Sequence, residues 1–507
     1  MRIAFVHNLF VDHLGFYTLS SLARRDGHDV RVFLTDRHLE RDLRAYAPDV
    51  VAFTAVTGNH LWAAQTAAEL RVLLPRTFFV MGGPHPTYYP EIVMHDGLDA
   101  ICRGEGETVW PTLLRRIEAR QSLADLAGLW VKEEGRLHRN PLAPSVEDLD
   151  ALPFPDRSLY DRFGFMRRNA YPLMITSRGC PFRCTFCYSP TLMEMTKGQG
   201  KFVRFRSVGN VIAEAQEILA KRPVAAIEFV DDIFGMHRPW LREFAARWPH
   251  EVGVPFNASI RADLILPEVA ALLADAGCQT LAIGLESGND RVRNEILQKE
   301  ISREQVVAAA AQVKRHRMKF ITYNIVGSPG ESFDDAMDTV RLNREIEPAY
   351  AQCSIMQPYP KTGIFDIAVR QGMIRDAASV DEIGVSFMDR AIIQTPDRRR
   401  MANLQKLFYL CVRFPRLEPL IRLLTRLPEN RLFYAAFLAV HATYWVRVKR
   451  VRARFLISLI LNMKEMYRRH RAGLYRQTFP KQFDDTAAPT VLAAVPVTAP
   501  VAEKAAA

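Results

Sequence analysis

Residues 177–188 read Ser177-Arg178-Gly179-Cys180-Pro181-Phe182-Arg183-Cys184-Thr185-Phe186-Cys187-Tyr188 and hold three cysteines at C-x3-C-x2-C spacing. Thiols this close can converge on one metal centre, but a closed structural zinc site needs four ligands. A 4Fe–4S cluster held by three thiolates leaves one iron open to bind a substrate or cofactor. The spacing therefore favours such a cluster, and the alternative is a zinc knuckle with a distant fourth ligand.

Around this run, strand and helix patterns alternate from residue 171 to residue 395. Amphipathic helical stretches separate six apolar segments that read as strands. These are Tyr171–Ile175, Ala226–Val230, Pro255–Ala258, Thr280–Ile283, Phe320–Ile325 and Cys353–Met356. Six alternating units predict a partial (β/α)6 barrel over residues 171–395, with its chemistry at the carboxyl ends of the strands.

Polar or glycine-rich motifs follow these strands in order. They are Asp231-Asp232, Asn257-x-Ser259-x-Arg261-x-Asp263, Gly284–Gly288 with Glu286, Asn324–Glu331 with Gly327 and Gly330, and Gln357–Gly363. Together with the cysteine triplet they resemble the motifs of the radical S-adenosylmethionine (SAM) superfamily. The resemblance implies a 4Fe–4S cluster on Cys180, Cys184 and Cys187, which would be both the metal ligands and the catalytic residues. Its open iron would chelate SAM, and an electron from the cluster would cleave SAM to a 5′-deoxyadenosyl radical.

Six strand-end residues suit the chemical groups of SAM: Asp231, Asp232, Arg261, Glu286, Gly327 and Gly330. Either aspartate can hold the ammonium, and the arginine can pair with the carboxylate in a bidentate way. The glutamate can accept from a ribose hydroxyl or the ammonium. The glycines would let the adenine lie against backbone. For each carboxylate, the alternative is a solvated loop or a structural salt bridge.

Residues 1–140 also alternate between strand and helix patterns. The predicted strands are Ile3–Val6, Val30–Leu34, Val50–Val56 and Phe78–Met81. This order predicts a doubly wound, Rossmann-like parallel sheet that binds ligands at the carboxyl ends of its strands. No G-x-G-x-x-G follows the first strand, which argues against an ordinary dinucleotide site.

Glycine-containing loops follow the later strands of this region. The stretch Gly82–Thr87, with Arg103–Glu107 about twenty residues later, resembles the cobalamin-binding domain in front of many radical SAM enzymes. The resemblance implies cobalamin bound by Thr54, Gly82, Gly83, Pro84 and Glu105, with the two glycines lining a channel for the nucleotide tail. The alternative is a vestigial flavodoxin-like domain that binds nothing.

The cobalt-ligating motif D-x-H-x-x-G is absent, because Asp12-His13-Leu14-Gly15 lacks its spacing. His13 is therefore not expected to ligate cobalt. The resemblance then implies base-off cobalamin with no protein imidazole below the metal.

Three further segments complete the chain. Residues 141–170 form a proline-containing linker, and residues 486–507, rich in Ala, Val, Pro and Thr, are predicted to be disordered. Residues 396–485 read as basic, apolar helices over Leu404–Phe414, Leu417–Leu427 and Leu432–Val446, the last running on toward Met463. They suit either interfacial helices on an anionic membrane or an ordinary helical domain over the barrel mouth. The stretch Leu432–Val446 by itself is too short to span a bilayer.

The whole-chain composition is 49% hydrophobic and 24% charged, as in soluble globular proteins. The net charge of +11 fits phosphates, nucleic acid or an anionic membrane. No nucleic-acid partner is expected, since no RNA-binding module is recognised. The cysteines outside the triplet are scattered singly, which favours a reducing cytoplasm. If the basic C-terminal helices contact a membrane, we expect the protein on the inner membrane face. No signal peptide is expected, because Met1–His7 enters a strand directly.

The resemblance to both families implies a cobalamin-dependent radical SAM enzyme, which we expect to methylate an unactivated carbon of a lipid or secondary metabolite. A flavodoxin or ferredoxin would supply electrons. One alternative is a radical cyclisation or rearrangement, as in the anaerobic magnesium-protoporphyrin ester cyclases. Another is a non-catalytic cobalamin-binding protein. A tRNA methylthiotransferase is disfavoured, because Cys102 is the only cysteine before the triplet. No motif specifies the substrate.

Overall fold

The computed structural model describes residues 1–8, 13–36, 38–164, 169–374, 380–382 and 393–447. Within these ranges the chain forms two large sheets with flanking helices and a small two-stranded sheet, followed by a helical stretch. The predicted disordered tail and the extension of the third basic helix beyond residue 447 lie outside them.

The front sheet has seven strands in the order β2-β1-β3-β4-β5-β6-β7. They are β1 (Arg2–His7), β2 (Asp29–Leu34), β3 (Val50–Thr54), β4 (Phe78–Gly82), β5 (Ala100–Cys102), β6 (Leu129–Glu133) and β7 (Arg136–Arg139). The helices are α1 (Leu14–Arg25), α2 (Leu39–Tyr46), α3 (His60–Leu73), α4 (Pro84–Tyr88) and α5 (Gly106–Glu118). Every residue of β3 is buried, and apolar clusters cover both faces of the sheet, as expected for a doubly wound fold.

Strands β1–β5 are parallel, which confirms the predicted parallel sheet, but β6 and β7 extend it as an antiparallel hairpin. The hairpin turn is Glu134-Gly135, whose φ angles are +50° and +75°. Two successive positive φ values match the twist of a two-residue hairpin. The antiparallel edge was not expected from the sequence.

The second sheet has six parallel strands in the order β15-β14-β13-β12-β11-β8. These are β8 (Leu173–Met174), β11 (Ile227–Phe229), β12 (Phe256–Ile260), β13 (Cys278–Glu286), β14 (Lys319–Val326) and β15 (Tyr350–Ile355), with β9 (Ser177–Arg178) and β10 (Arg204–Phe205) as a separate antiparallel pair. All six predicted barrel strands are confirmed. The chain folds into a partial (β/α)6 barrel, because each strand is followed by at least one helix on the outer face.

The barrel helices are α6 (Ser189–Met195), α7 (Val208–Lys221), α8 (Arg238–Glu251), α9 (Pro267–Asp275), α10 (Arg303–Arg315), α11 (Phe333–Ile346) and α12 (Gly363–Arg370). Short 3₁₀ segments lie at Pro90–Met94, Leu149–Ala151, Ala262–Leu264, Val380–Glu382 and Pro415–Leu417, and a π-helix at Arg291–Ile296. Helix α10 begins directly after Ser302, whose capping box with Gln305 satisfies two backbone donors.

The C-terminal helices are α13 (Arg398–Arg413), α14 (Glu418–Leu424) and α15 (Arg431–Arg447). Apolar residues of α13 pack into one cluster with β15 and α11. For this first helix, packing against the barrel favours the alternative of an ordinary helical domain. No helix in the described ranges combines the length and the apolar character needed to cross a bilayer.

Candidate functional site

The cysteine loop joins β9 to α6 at the carboxyl end of the barrel sheet. Cys184 is buried, while Cys180 and Cys187 are partly exposed. The backbone N–H of Ser189 donates to Cys187 Sγ at 3.4 Å. Gly179 has a φ of +88°, and a side chain there would collide with the backbone of Phe202. The loop is therefore held closely against the segment that precedes β10.

The donor set of the cysteine loop consists of the three thiols of Cys180, Cys184 and Cys187. Within the described ranges, no three His, Cys, Asp or Glu side chains are arranged around a single metal ion. In a 4Fe–4S cluster each thiolate binds a different iron, so the three cysteines need not converge on a single metal ion. Burial raises the pKa of the Cys180 thiol to about 11 and also raises that of Cys184, so iron binding must displace protons. Three clustered thiols fit a cluster with one open iron.

Arg261 points at the cysteine loop rather than into open space. Its Nε and Nη2 bond Asp263 at 3.0 and 3.2 Å, and Nη2 also donates to the Lys299 carbonyl at 2.6 Å. Its Nη1 lies 3.7 Å from Cys184 Sγ. Asp263 thus occupies one bidentate edge of the guanidinium, and the Lys299 carbonyl and Cys184 occupy the other, where the SAM carboxylate would have to bind. That role stays a prediction and would require an exchange of partners.

The two adjacent aspartates after β11 differ in their surroundings. Asp231 is buried, and its Oδ1 accepts from Thr176 N, Thr176 Oγ1 and Ser177 Oγ at 2.6–2.9 Å. It therefore ties the entry of the cysteine loop to the barrel. Asp232 is accessible to solvent, and partial burial raises its pKa. Of the two, Asp232 is the carboxylate that a bound ammonium can reach.

Glu286 ends β13 at a bulge with a φ of +62°. Its Oε1 accepts from Lys299 Nζ at 2.8 Å, so its charge is already paired. It borders a cavity of about 390 Å³, within the range of small-molecule sites. The other lining residues are Phe186, Tyr323, Asn324, Ile325, Gln352, Ser354, Ile355, Met356, Gln357 and Tyr359. The wall is thus largely apolar and aromatic, with neutral amides and a hydroxyl.

The turn after β14 depends on its two glycines and on Glu331. Gly327 and Gly330 have φ angles of +83° and +72°. The N–H groups of Gly327 and Ser328 donate to Glu331 Oε2 at 2.7 and 2.8 Å. Burial raises the pKa of Glu331 to about 8. The glycines thus have a structural reason of their own, and their predicted contact with adenine stays a prediction.

The predicted cobalamin residues fall into two groups. Thr54, Gly82, Gly83 and Pro84 lie at the carboxyl ends of β3 and β4. A Cβ on Gly83 would stand 2.7 Å from Thr54 Oγ1 and 2.9 Å from the Ala55 carbonyl. A Cβ on Gly82 would lie against Cys102. The lack of a side chain at Gly83 is thus already required by its protein neighbours, and the predicted contact of both glycines with the nucleotide tail stays a prediction.

Glu105 forms the second group and faces the barrel. Its Oε1 bonds Arg204 Nη2 at 2.7 Å and lies 3.2 Å from Arg178 Nη1. Its Oε2 accepts from Arg204 Nη1 and Val146 N at 3.0 and 2.7 Å. Glu107 accepts from Arg178 Nη2 at 2.6 Å. These contacts clamp the front domain to the cysteine loop and to the segment at β10, and the cobalamin role of Glu105 stays a prediction.

Four tyrosines, Tyr88, Tyr89, Tyr188 and Tyr359, form a second junction, which we name the tyrosine cluster. The rings of Tyr88 and Tyr188 stack at 4.1 Å, and the hydroxyls of Tyr89 and Tyr188 lie 2.6 Å apart. Tyr89 also donates to the Pro360 carbonyl at 2.6 Å. The carboxyl ends of both sheets therefore meet at the cysteine loop. Sequence reasoning missed this cluster, although Tyr188 directly follows Cys187.

The strand order of the front sheet reverses between β1 and β3, and a crevice there suits a large ligand. Val56, just beyond β3, is 48% exposed despite being apolar. Beyond β1, the buried Nδ1 of His13 has no partner among the described residues. Burial lowers the pKa of His13 to about 4, so the ring is neutral. The exposed apolar side chain after β3 and the unpaired polar atom after β1 suit a corrin with its amides at this switch point.

Comparisons with known proteins agree with this geometry. The Radical SAM superfamily profile matches residues 174–342, and the B12 binding domain profile matches residues 6–114. An uncharacterized methyltransferase of Pyrococcus horikoshii is 29% identical over 372 residues, covering 71% of this chain and 79% of that protein.

Two further relatives extend the comparison. The anaerobic magnesium-protoporphyrin IX monomethyl ester cyclase of Rubrivivax gelatinosus is 26% identical over 349 residues, covering 66% of this chain and 60% of the cyclase. The solved structure of the cobalamin-dependent SAM radical enzyme OxsB, with aqua-cobalamin and SAM bound, has a TM-score of 0.64 at 16% identity. It covers 93% of this chain and 80% of that one. Because the sequence identity is only 16%, this likeness shows a shared fold and nothing more.

Proposed function

The chain is a radical SAM enzyme with a cobalamin-binding domain in front of its barrel, and from this premise we propose that it methylates an unactivated carbon of a small molecule. The expectations of an enzyme and of a 4Fe–4S cluster, SAM and cobalamin as cofactors are confirmed. We retain the domain division as a proposal: a cobalamin-binding domain (1–140), a linker (141–170), the radical SAM barrel (171–395), a helical C-terminal domain (396–485) and a predicted disordered tail (486–507).

The observation that carries the methylation proposal is the meeting of the two carboxyl edges. The tyrosine cluster and the Glu105–Arg178 contact place the end of the front sheet beside the cysteine loop. When bound, the cluster would generate a 5′-deoxyadenosyl radical from SAM, and cobalamin would supply a methyl group. A substrate in the barrel cavity would then be within reach of both, which suits a radical-initiated methyl transfer.

The residues of the chain have distinct tasks in this proposal. Cys180, Cys184 and Cys187 hold the cluster, while Asp231 fixes the loop that carries them. Asp232 is placed to accept hydrogen bonds from the SAM ammonium. The largely apolar wall keeps water from a carbon radical, and the Lys299–Glu286 pair leaves no unpaired charge there. This lining supports a neutral, largely apolar lipid or secondary metabolite as substrate.

Anaerobic reconstitution with iron, sulfide and hydroxocobalamin tests the proposal. We expect a 4Fe–4S absorbance, bound corrinoid, and 5′-deoxyadenosine on reduction in the presence of SAM. Deuterated SAM methyl groups should then appear in a product from a candidate lipid or metabolite pool, followed by mass spectrometry. Corrinoid binding and 5′-deoxyadenosine with no labelled product would contradict methylation.

A second reaction, radical cyclisation or rearrangement, is supported by the likeness to the cyclase of Rubrivivax gelatinosus. It requires the same cluster and SAM but leaves no SAM-derived methyl group in the product. The product mass distinguishes the two reactions: methylation adds a methyl group, whereas cyclisation does not.

The C-terminal helices support a further proposal, peripheral contact with an anionic membrane on the cytoplasmic face. Six apolar side chains around α14 are 40–75% exposed: Phe414, Leu417, Leu420, Leu423, Leu427 and Leu432. Exposed arginines lie among them at positions 413, 416, 426 and 431. Apolar side chains flanked by arginines suit the headgroup boundary of an anionic bilayer.

Vesicle flotation tests this contact. The protein should float with phosphatidylcholine vesicles that contain phosphatidylglycerol, less so at high salt, and Leu420→Ser/Leu423→Ser should abolish flotation. The paired control Val72→Ser alters an exposed apolar residue of the front domain and should change nothing. Equal flotation of all variants would contradict the proposal. We also propose a flavodoxin or ferredoxin as the electron donor.

A further inference from the structure

Cys184 has the most distinctive surroundings of the three cysteines. It is 8% exposed, and it is the cysteine that faces Arg261 Nη1, at 3.7 Å. Lys299 lies nearby as well, and both cations oppose the rise that burial causes in the pKa of Cys184. Cys187 and Glu286 act in the opposite sense, so the sulfur lies among charges of both signs, of which the Arg261 guanidinium is in direct contact with it.

Arg261 is fixed on three sides. Its guanidinium lies 3.6 Å from the centroid of the Phe182 ring, which is part of the cysteine loop. Asp263 holds Nε and Nη2, and the Lys299 carbonyl accepts from Nη2. Arg261 is 7% exposed. A buried guanidinium with a ring on its face and a carboxylate on its edge has little freedom to move.

A positively charged hydrogen-bond donor beside a cluster thiolate changes the reduction potential of the cluster. Reduction adds one negative charge to the cluster, and a nearby guanidinium stabilises that charge, which raises the reduction potential. Asp263 acts in the opposite sense, because its negative charge partly cancels that of the arginine. The two residues therefore have opposite electrostatic effects at one sulfur.

We propose that Arg261 and Asp263 form a positioning pair that fixes the cysteine loop at Phe182 and Cys184 and sets the reduction potential of the cluster. Arg261 raises the potential by its charge, and Asp263 limits that effect while holding the guanidinium in place. The proposal rests on the radical SAM assignment, and it gives Arg261 a task that does not require SAM.

The test measures the potential without SAM. Full-length protein is reconstituted anaerobically, and the electron paramagnetic resonance signal of the reduced cluster is followed in a redox titration. At the wild-type midpoint potential, Arg261→Gln should lower the ratio of reduced to oxidised cluster at least about tenfold, a shift of about 59 mV for a one-electron couple. Asp263→Asn should shift the ratio in the opposite direction. Arg261→Lys, which keeps the charge but loses the planar fork, should fall between wild type and Arg261→Gln.

The opposite signs separate this role from a merely structural one. Arg242→Gln removes an exposed arginine that pairs with Glu268, and it should leave the potential unchanged. Shifts of the same sign in Arg261→Gln and Asp263→Asn, or shifts no larger than that of Arg242→Gln, would overturn the proposal. An unchanged potential with weakened SAM binding in Arg261→Gln would instead assign Arg261 to the SAM carboxylate.

Two outcomes concern assembly. If Arg261→Gln takes up no iron, the redox titration of Asp263→Asn tests the proposal instead, because that variant keeps the arginine. A raised reduction potential supports the proposal, and an unchanged or lowered one overturns it. If the wild-type protein assembles no cluster, the radical SAM assignment itself fails. Iron content distinguishes this result from failure of the present proposal, in which the cluster assembles normally and the variants leave its reduction potential unchanged.

Discussion

Replacing Glu105 with Gln should loosen the clamp between the front domain and the cysteine loop. The change removes a carboxylate that lies 2.7 and 3.0 Å from Arg204 and 3.2 Å from Arg178. Arg178 keeps Glu107, but Arg204, whose side chain is 7% exposed, loses its charged partner and is left with the Val146 carbonyl and the neutral amide oxygen of the introduced glutamine. Breaking a buried ion pair costs about 3–5 kcal/mol, and we expect about 3, because Glu105 is partly exposed.

The pH dependence provides an independent check. Burial alone would raise the pKa of Glu105, but the bonds from Arg204 and the charge of Arg178 outweigh it and hold that pKa below its usual value. A lowered folded-state pKa adds stability above the unfolded-state pKa, and this contribution is lost as the pH falls through the folded-state value. The wild-type protein should therefore lose this contribution in acid, and Glu105→Gln should lack it.

Urea unfolding of the anaerobically reconstituted protein measures the effect. Visible absorbance reports the cluster loop, and fluorescence reports the domains, since a two-domain chain need not unfold in one step. The matched control is Glu217→Gln, which removes an exposed i,i+4 partner of Lys221 and should cost about 0.3–0.5 kcal/mol. A loss in Glu105→Gln no larger than in this control would refute the clamp.

Three further changes test individual side chains. Cys184→Ala should abolish the cluster absorbance and 5′-deoxyadenosine formation, measured after reconstitution, whereas Cys102→Ala should retain both. Glu286→Ala should weaken SAM binding about ten- to a hundred-fold, at unchanged iron content, through the loss of a charged hydrogen bond; equal calorimetric affinity would mark it as a structural partner of Lys299. Glu331→Gln should flatten the pH dependence of stability above pH 5, because a raised folded-state pKa gives wild type a contribution that is present in acid and lost as the pH rises through about 8.

The barrel was predictable because its signals are local. Each strand is a short apolar run, and α10 begins where Ser302 and Gln305 form a capping box, a start signal that lies within four residues of sequence. The front parallel strands follow from the same apolar runs. The β6–β7 hairpin was missed although Glu134-Gly135 is a plausible two-residue turn, because the flanking strands are short and half polar.

The charged residues were harder, because their partners are distant in sequence. Glu105 meets Arg204, which is 99 residues away, and Arg261 meets Cys184, which is 77 residues away. A strand-end carboxylate looks the same in sequence whether it binds a ligand or another domain. Only the fold decides that Asp231 ties the loop while its neighbour Asp232 stays accessible.

The position of Arg178 links domain orientation to the cluster. It stands two residues before Cys180 and is held by Glu105 and Glu107, which both follow β5 of the front sheet. Tyr188 directly follows Cys187 and is held by Tyr88 and Tyr89, which both follow β4. The cysteine loop is thus fixed to the front domain just outside its first and third thiols, while Arg261 holds the middle one from the barrel side. Because the same loop is anchored by both domains, a displacement of the front sheet would move the outer thiols against the middle one, and cluster geometry would depend on how the domains are docked.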